Sequence, residues 1–265
     1  MKEKAYGGVV ILALLTLIAL LVYRANPECL SKYPSLQHPD LNHPLGTDPV
    51  GRDALCLLVA GLVSSVEAGL SALATSLLIL ILAVYLSTSK LLRGLVNATA
   101  SILTGLPRIS LLLLLALTIN IPPLIIGVII GALASMQGVR GVVARTRQVT
   151  ASTYVEASKA IGANTLHIAT KHVLPNTWSA IASYTSIASS VAVYAEAGLS
   201  MIGLGDPSIP SWGKMVGLIL ETPGAILTNP GIIQVSVPLL FTVAMASIFY
   251  ISLLITVRTE EKASL

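Results

Sequence analysis

Charge is scarce in this 265-residue chain: Asp, Glu, Lys and Arg make up 11% of it, against 54% apolar residues. With a mean hydropathy of +0.84, an ordinary soluble domain is excluded. Aromatic residues amount to 5%, and the basic residues are scattered between apolar runs. No basic patch is interleaved with aromatics, which argues against nucleic acid as a partner. Only two cysteines are present, Cys29 and Cys56, without metal-ligand spacing. We read them as free thiols, with a disulfide as the alternative. Chemistry is equally sparse. Neither GxxxxGKS nor GxxxxGKT occurs, so there is no P-loop for ATP. Gly198-Leu199-Ser200-Met201-Ile202-Gly203 has one residue too many for a nucleophile elbow. His167 and His172, five apart, do not share a face of an α-helix. The acidic candidates within apolar runs are Glu67 and Glu196, too few for a proton-driven pump. No catalytic residue, metal site or resident cofactor is therefore expected.

What is present is a series of apolar runs near the length of about 20 residues that spans a hydrocarbon core. They cover roughly residues 5–23, 63–86, 98–118, 124–138, 178–199 and 232–257. The expectation is an all-α membrane protein of six transmembrane helices in a lipid bilayer. The first run follows a short basic opening and is read as an anchored span, because Arg24-Ala25-Asn26-Pro27 offers no small-x-small cleavage site. Pro107 should kink the third, and Arg108 is anomalous there, since a mid-membrane arginine costs about 2.5–3.5 kcal/mol on insertion scales. It is read as snorkelling to the inner interface beside Lys90 and Arg93, with a place on the translocation path as the alternative. Gly127 and Gly131 in the fourth run would let another helix approach closely. The fifth is rich in Ala, Ser and Thr and should be buried among helices. Glu196, near its outer end, is either interfacial or at a pathway mouth.

The basic residues set the orientation. With the N-terminus inside, Lys2, Lys4, Lys90, Arg93, Arg140, Arg145, Arg147, Lys159, Lys171, Arg258 and Lys262 lie inside. Only Arg24, Lys32, Arg52 and Lys214 lie outside. Both termini are then cytoplasmic. The expected division is 1–62 for the first helix and an external loop, 63–258 for a core, and 259–265 for a tail. The core carries a cytoplasmic loop over 140–175 and an external, turn-rich loop over 200–230.

The longest stretch unsuited to a bilayer is Tyr154 to Asn176, YVEASKAIGANTLHIATKHVLPN. It predicts a short helix over Glu156–Ile161, a left-handed Gly162, and a second helix capped by Asn164 or Thr165. Pro175 should begin the next span. The external stretch His43–Asp53, HPLGTDPVGRD, predicts an ordered loop in which Thr47 or Asp48 caps a helix. No second ligand set accompanies it, so a metal is not expected there.

Glu156-Ala157-Ser158, then Gly162 and Leu174-Pro175, resembles the EAA loop of binding-protein-dependent ABC importer permeases. Ser158 stands for the second Ala and His172 for an Ile. His43–Asp53 and AEAGLSMIGLGDPSIPSWGKMV (Ala195–Val216) resemble motifs of the dipeptide/oligopeptide/nickel branch, in its second or "C-type" subunit. The resemblance implies a type I importer permease fold, one N-terminal helix plus a five-helix core, in a prokaryotic inner (cytoplasmic) membrane. It implies two cytoplasmic ATPases that carry the ATP and Mg, a second homologous permease, and an extracytoplasmic solute-binding protein. Glu156, Ala157, Ser158, Lys159, Ile161, Gly162, Ala163, Leu174 and Pro175 would couple to the ATPases. His43, Gly46, Asp48, Arg52, Asp53, Pro210 and Trp212 would dock the binding protein, and Arg108 and Glu196 would line the path. The cargo would be a peptide, an oligosaccharide or a nickel complex. The acidic residue usual before the third-span proline is missing, and Arg108 replaces a small or apolar residue. The usual C-terminal pattern gives way to SLLITVRTEEKASL. A stand-alone secondary transporter or channel is the rival; it would need intramembrane charges or repeat-related broken helices.

Overall fold

A computed structural model describes residues 7–25, 29 and 33–263. Lys2, Lys4 and Lys32, used for the orientation, lie outside the described residues. The helices are α1 (Gly7–Ala25), α2 (Ala54–Ser87), α3 (Lys90–Thr104), α4 (Arg108–Ala116), α5 (Pro123–Thr150), α6 (Thr153–Ala160), α7 (Thr165–Ile168), α8 (Leu174–Met201), α9 (Trp212–Glu221) and α10 (Asn229–Ala263). No β-strand occurs among the described residues, only two isolated bridges, Thr47 with Asp53 and Ile121 with Gly205. That is the expected outcome for a bilayer, where each backbone polar group must be satisfied within its own segment.

Three helices among the described residues are long and apolar enough to cross a membrane: α2, α5 and the Asn229–Ser252 part of α10. The pair α3 and α4, bent by 66°, makes a fourth if counted as one span. Pro107 is therefore more than a kink. Residues 105–107 break the helix, because proline disfavours helical geometry at the residue before it and lacks an N–H of its own. The first run is a shorter apolar helix, Val10–Val22. α8 is about 42 Å long at 1.5 Å per residue, but its Ala, Ser and Thr keep it less apolar than a lipid-facing helix.

α8 packs against α2, α5, α9 and α10. Its inward residues include Ala182, Thr185, Ser186, Ala188, Ser189, Ala192 and Val193, all buried. Hydroxyls inside a bundle need partners. Ser189 Oγ donates to Thr185 O, and Ser190 Oγ reaches both Ser186 O and, on α10, Ala246 O at 2.8 Å. α2 and α5 touch almost backbone to backbone. A Cβ on Gly127 would stand 2.3 Å from Ala68 O, and one on Gly131 would stand 2.7 Å from Ala72 O. The expected glycine pair is a helix contact.

Several boundaries differ from expectation. α2 starts at Ala54, so a division at 62/63 would cut it, and its cap is Asp53, which accepts Cys56 N–H at 2.8 Å. Neither Thr47 nor Asp48 caps a helix. Thr47 accepts Gln37 N–H and donates to Pro34 O, while Asp48 accepts the N–H groups of Val50 and Arg52. α5 continues to Thr150 and absorbs Arg140, Arg145 and Arg147, which were expected in a loop. Only Thr88 and Ser89 separate α2 from α3. The reading of two free thiols is overturned, because Cys29 and Cys56 form a disulfide. Their Cα atoms lie 5.7 Å apart once Asp53 fixes the first turn of α2 beside the chain leaving α1. Closing the 27-residue separation stabilises the fold by roughly 3–4 kcal/mol in a chain-entropy model.

Two outcomes follow. Gly131→Leu lowers the thermal midpoint of detergent-solubilised protein, through overpacking of about 1–3 kcal/mol or more. Gly94→Leu, where a Cβ meets nothing within 4 Å, does not. Without reductant, mass spectrometry after maleimide treatment shows no adduct; with reductant it shows two.

Candidate functional site

The bundle has two ends. One carries residues 33–53, Pro122 and Gly205; the other carries Thr88, Thr150 and the stretch 153–176. α6 leaves α5 after a turn at Ala151-Ser152. Of its residues only Val155 is buried, in a cluster with Val149, Ile168, Val173 and Ile181. Glu156, Ala157, Lys159, Ala160 and Ile161 are exposed, Ile161 at 88%. Glu156 lies in the first turn and Lys159 in the last, each favourable to the helix dipole.

The helix ends as a Schellman turn. Ala163 N–H bonds to Ser158 O and Gly162 N–H to Lys159 O, both at 3.0 Å, with Gly162 at φ +91°. Asn164 then caps α7 and accepts His167 N–H at 2.8 Å. These are the helix, the left-handed glycine and the cap expected from the sequence. Val155 and Ile168, one on each side of the break, pin both pieces to the bundle, while Glu156, Ala157, Ile161 and Gly162 face away from it.

Pro175 stands in the first turn of α8, as expected, but the helix does not start afresh there. The chain is helical from Thr165 to Met201 without a gap, and Pro175 sits inside that run. Proline cannot donate to the carbonyl four residues back, and its ring crowds that carbonyl. A π-turn over Ala169–Val173 precedes it, with Leu174 N–H reaching Ala169 O five residues back. A wider turn brings residues five apart together. His167 and His172 do share a face, with ring centroids 5.9 Å apart, and Tyr154 stands 5.8 Å from His172. No group of three or more metal-capable side chains occurs among the described residues.

Charged groups tie this end to the helices. Arg93 Nε donates to Ser87 O at 2.7 Å and its Nη2 to Thr150 Oγ1 at 3.3 Å. Arg145 Nε reaches Asn176 O at 3.3 Å. The first turn of α8 is thereby held against α5.

At the opposite end, most residues expected to present a docking surface are instead buried and hold the loops from beneath. His43 Nδ1 lies 2.6 Å from Asp53 Oδ2, and its ring meets Tyr33 edge-on at 4.1 Å. Asp48 is 3% exposed and holds Arg52 at 2.7 Å. Gln234 of α10 clamps the loop through Thr47 O at 2.8 Å. Trp212 is 1% exposed and donates from Nε1 to Leu58 O at 2.7 Å. Gly46 is buried too, so of the expected set Pro210 is exposed and Arg52 half-exposed. The turn-rich loop also hides a helix, α9. Ser211 caps it by accepting Lys214 N–H, and Gly213 and Gly217 let it lie on α8, where Cβ atoms would meet Ala197 O and Met201 O. The four-residue glycine spacing was its signal. Lys214 donates to Asp206 O and Ile209 O. Burial pulls its ammonium below the usual range, opposed by nearby Asp206.

Glu196 is neither interfacial nor on an open path. It is fully buried and accepts Ser200 Oγ at 3.0 Å. Arg108 is not beside Lys90 and Arg93 either. Arg93 marks the Thr150 end, whereas Arg108 lines a cavity of about 710 Å³ with Tyr194, Gly198, Leu199 and Ile202, toward the Gly205 end. A broken α3–α4 pair, instead of one continuous helix, carries it there.

An all-helical bundle with several apolar spans and a polar helical pair exposed at one end defines a multi-pass membrane protein. The chain belongs to the family of binding-protein-dependent transport system inner membrane components, which it matches over residues 75–259. Among curated proteins it is similar to a probable peptide ABC transporter permease protein of Sinorhizobium fredii, 37% identical over 98 residues, covering 36% of this chain and 33% of that protein. It is also similar to a glutathione transport system permease protein of Pectobacterium atrosepticum, 37% identical over 65 residues, covering 24% of this chain and 22% of the relative. The matched stretches thus span a third or less of these relatives' length.

Asn164→Ala removes one cap, worth about 1 kcal/mol. Hydrogen exchange at the His167 amide should accelerate roughly fivefold, the rate equivalent of that loss, while the α8 amides stay protected.

Proposed function

We propose that the chain is the membrane-spanning permease subunit of an ATP-driven importer for peptide-like solutes. In this reading α1, α2, the broken α3–α4 pair, α5, α8 and α10 make six crossings, with both termini cytoplasmic. α1 is peripheral, and the helices from α2 onward form the core. The membrane is the inner membrane of a prokaryotic cell. The chain pairs with a second, related permease, two ATPases that bind ATP and Mg, and an extracytoplasmic solute-binding protein.

The single observation that carries the reading is the exposed face of Glu156, Ala157, Ile161 and Gly162. It stands on a helix pair pinned by Val155 and Ile168, within the stretch that matches the family. Glu156-Ala157-Ser158 and Gly162 dock in a groove of an ATPase. Lys159 and Ala163 flank that contact, and Leu174 and Pro175 join it to α8. Because the stretch runs without a helical gap from Thr165 into α8, a push on α7 moves α8 as a rigid body. ATP binding supplies the bias between outward-open and inward-open states, and the permease supplies the two states. At the other end, the platform clamped by Asp48–Arg52, His43–Asp53 and Trp212 receives the binding protein through its exposed rim at Pro210. Arg108 lines the path, and Glu196 supports its wall from within. Support for the orientation is the excess of basic residues at the Thr150 end; support for peptide-like cargo is the names of the relatives.

Gly162→Pro cannot adopt φ +91°, since proline fixes φ near −65°. Glu156→Lys reverses the charge on the docking face. Both variants should insert at the wild-type level yet lose ATPase association and ATP-driven uptake by about tenfold or more, the scale of a disrupted interface anchor. Normal association and uptake in both would sink the coupling role.

A further inference from the structure

We propose that Arg108 and the cavity beside it form a subsite for the carboxylate of a small amphipathic solute passing through the importer. This rests on the permease reading above and adds the chemistry of the cargo. The cavity, about 710 Å³, lies in the range of about 300–1,000 Å³ typical of small-molecule sites. Its walls are largely apolar, with Leu112, Ile130, Val191 and Leu199 prominent, and Tyr194 adds a phenol. Arg108 is the one charged side chain in the lining; no acidic residue faces it there.

Arg108 is partly buried, and its guanidinium has no hydrogen-bond or ion-pair partner among the described residues. Arg52 is partnered by Asp48, Arg93 by Ser87 O and Thr150, and Arg145 by Asn176 O. Of the arginines without a side-chain partner among the described residues, Arg24, Arg108, Arg140 and Arg147, Arg108 is the one that lines this cavity. An unpaired cation against apolar walls is costly to keep and strongly attracts an anion, because the field there is weakly screened. A guanidinium presents a planar fork of donors that matches a carboxylate bidentately. An ammonium would meet the like charge of Arg108 and no carboxylate on this wall. The complement of this surface is therefore a carboxylate joined to an apolar body.

The test uses the assembled importer in phosphatidylcholine liposomes, with Ser110, also on the cavity wall, replaced by cysteine. The disulfide between Cys29 and Cys56 leaves the new thiol as the reactive one. An anionic methanethiosulfonate should label it about tenfold faster than a cationic one, the order expected of a focused field. N-acetylphenylalanine should slow the labelling, and its neutral amide should not. Arg108→Gln should abolish both preferences, and Arg108→Lys should keep the reagent preference in part. Equal labelling rates, or protection by acid and amide alike, overturns the subsite. Protection by added phosphatidylglycerol but not by the amino-acid derivative also overturns it, and makes the cavity a lipid headgroup site. ATP-driven uptake is followed in the same liposomes with the Ser110 cysteine. Uptake that persists while the anion preference is missing overturns the subsite alone. A complex that recruits no ATPase and moves no solute overturns the permease reading and the subsite with it.

Discussion

Close approach of small residues governs this bundle. In a bilayer, lipid tails are as apolar as leucine, so helices associate through packing and interhelical hydrogen bonds. α8 can pack against four other helices because its inward face is Ala, Ser and Thr, and because serine hydroxyls on it return to carbonyls of its own helix or reach α10. Gly127 and Gly131 bring α5 onto α2 in the same way, and Gly213 and Gly217 bring α9 onto α8. Such contacts are stiff, since each is fixed by backbone atoms instead of adaptable side chains. Stiff contacts of this kind run the length of α8, with Glu196 and the α9 contact at one end and the π-turn and Pro175 at the other.

The elements legible in the sequence were those whose cause is local. Gly162 and Asn164 announce a helix end and a helix start within three residues, and a Schellman turn followed by an Asn cap stands there. The glycine pair of α5 and the Ala/Ser/Thr content of α8 predicted close packing and burial. What escaped depends on distant partners or on a choice among similar signals. His43–Asp53 pointed to Thr47 or Asp48 as the cap, but those two are spent within a loop held by Gln234 and Tyr33, and Asp53 takes the role. The disulfide needs the distance between Cys29 and Cys56, which no spacing gives. The π-turn before Pro175 changes the helical period, so His167 and His172 meet although an ideal α-helix would separate them.

The candidate docking residues divide for a similar reason. Motif residues at the Gly205 end are mostly buried, so they hold a shape, and their neighbours make the exposed surface there. At the Thr150 end the motif residues themselves are exposed, and burial is left to Val155, Ile168 and Val173. One motif holds a shape from within, and the other is itself the exposed face. Conflating the two assigns docking to Trp212, which is 1% exposed.

The central claim is that the Thr153–Ile168 helix pair meets an ATPase. Its most direct test places a photo-crosslinking residue at Ile161 in cells expressing the whole importer. Leu227, 84% exposed at the opposite end, serves as the comparison. The account predicts that Ile161 captures an ATPase subunit and Leu227 does not. Capture of the ATPase from Leu227, or of an extracytoplasmic protein from Ile161, would contradict it.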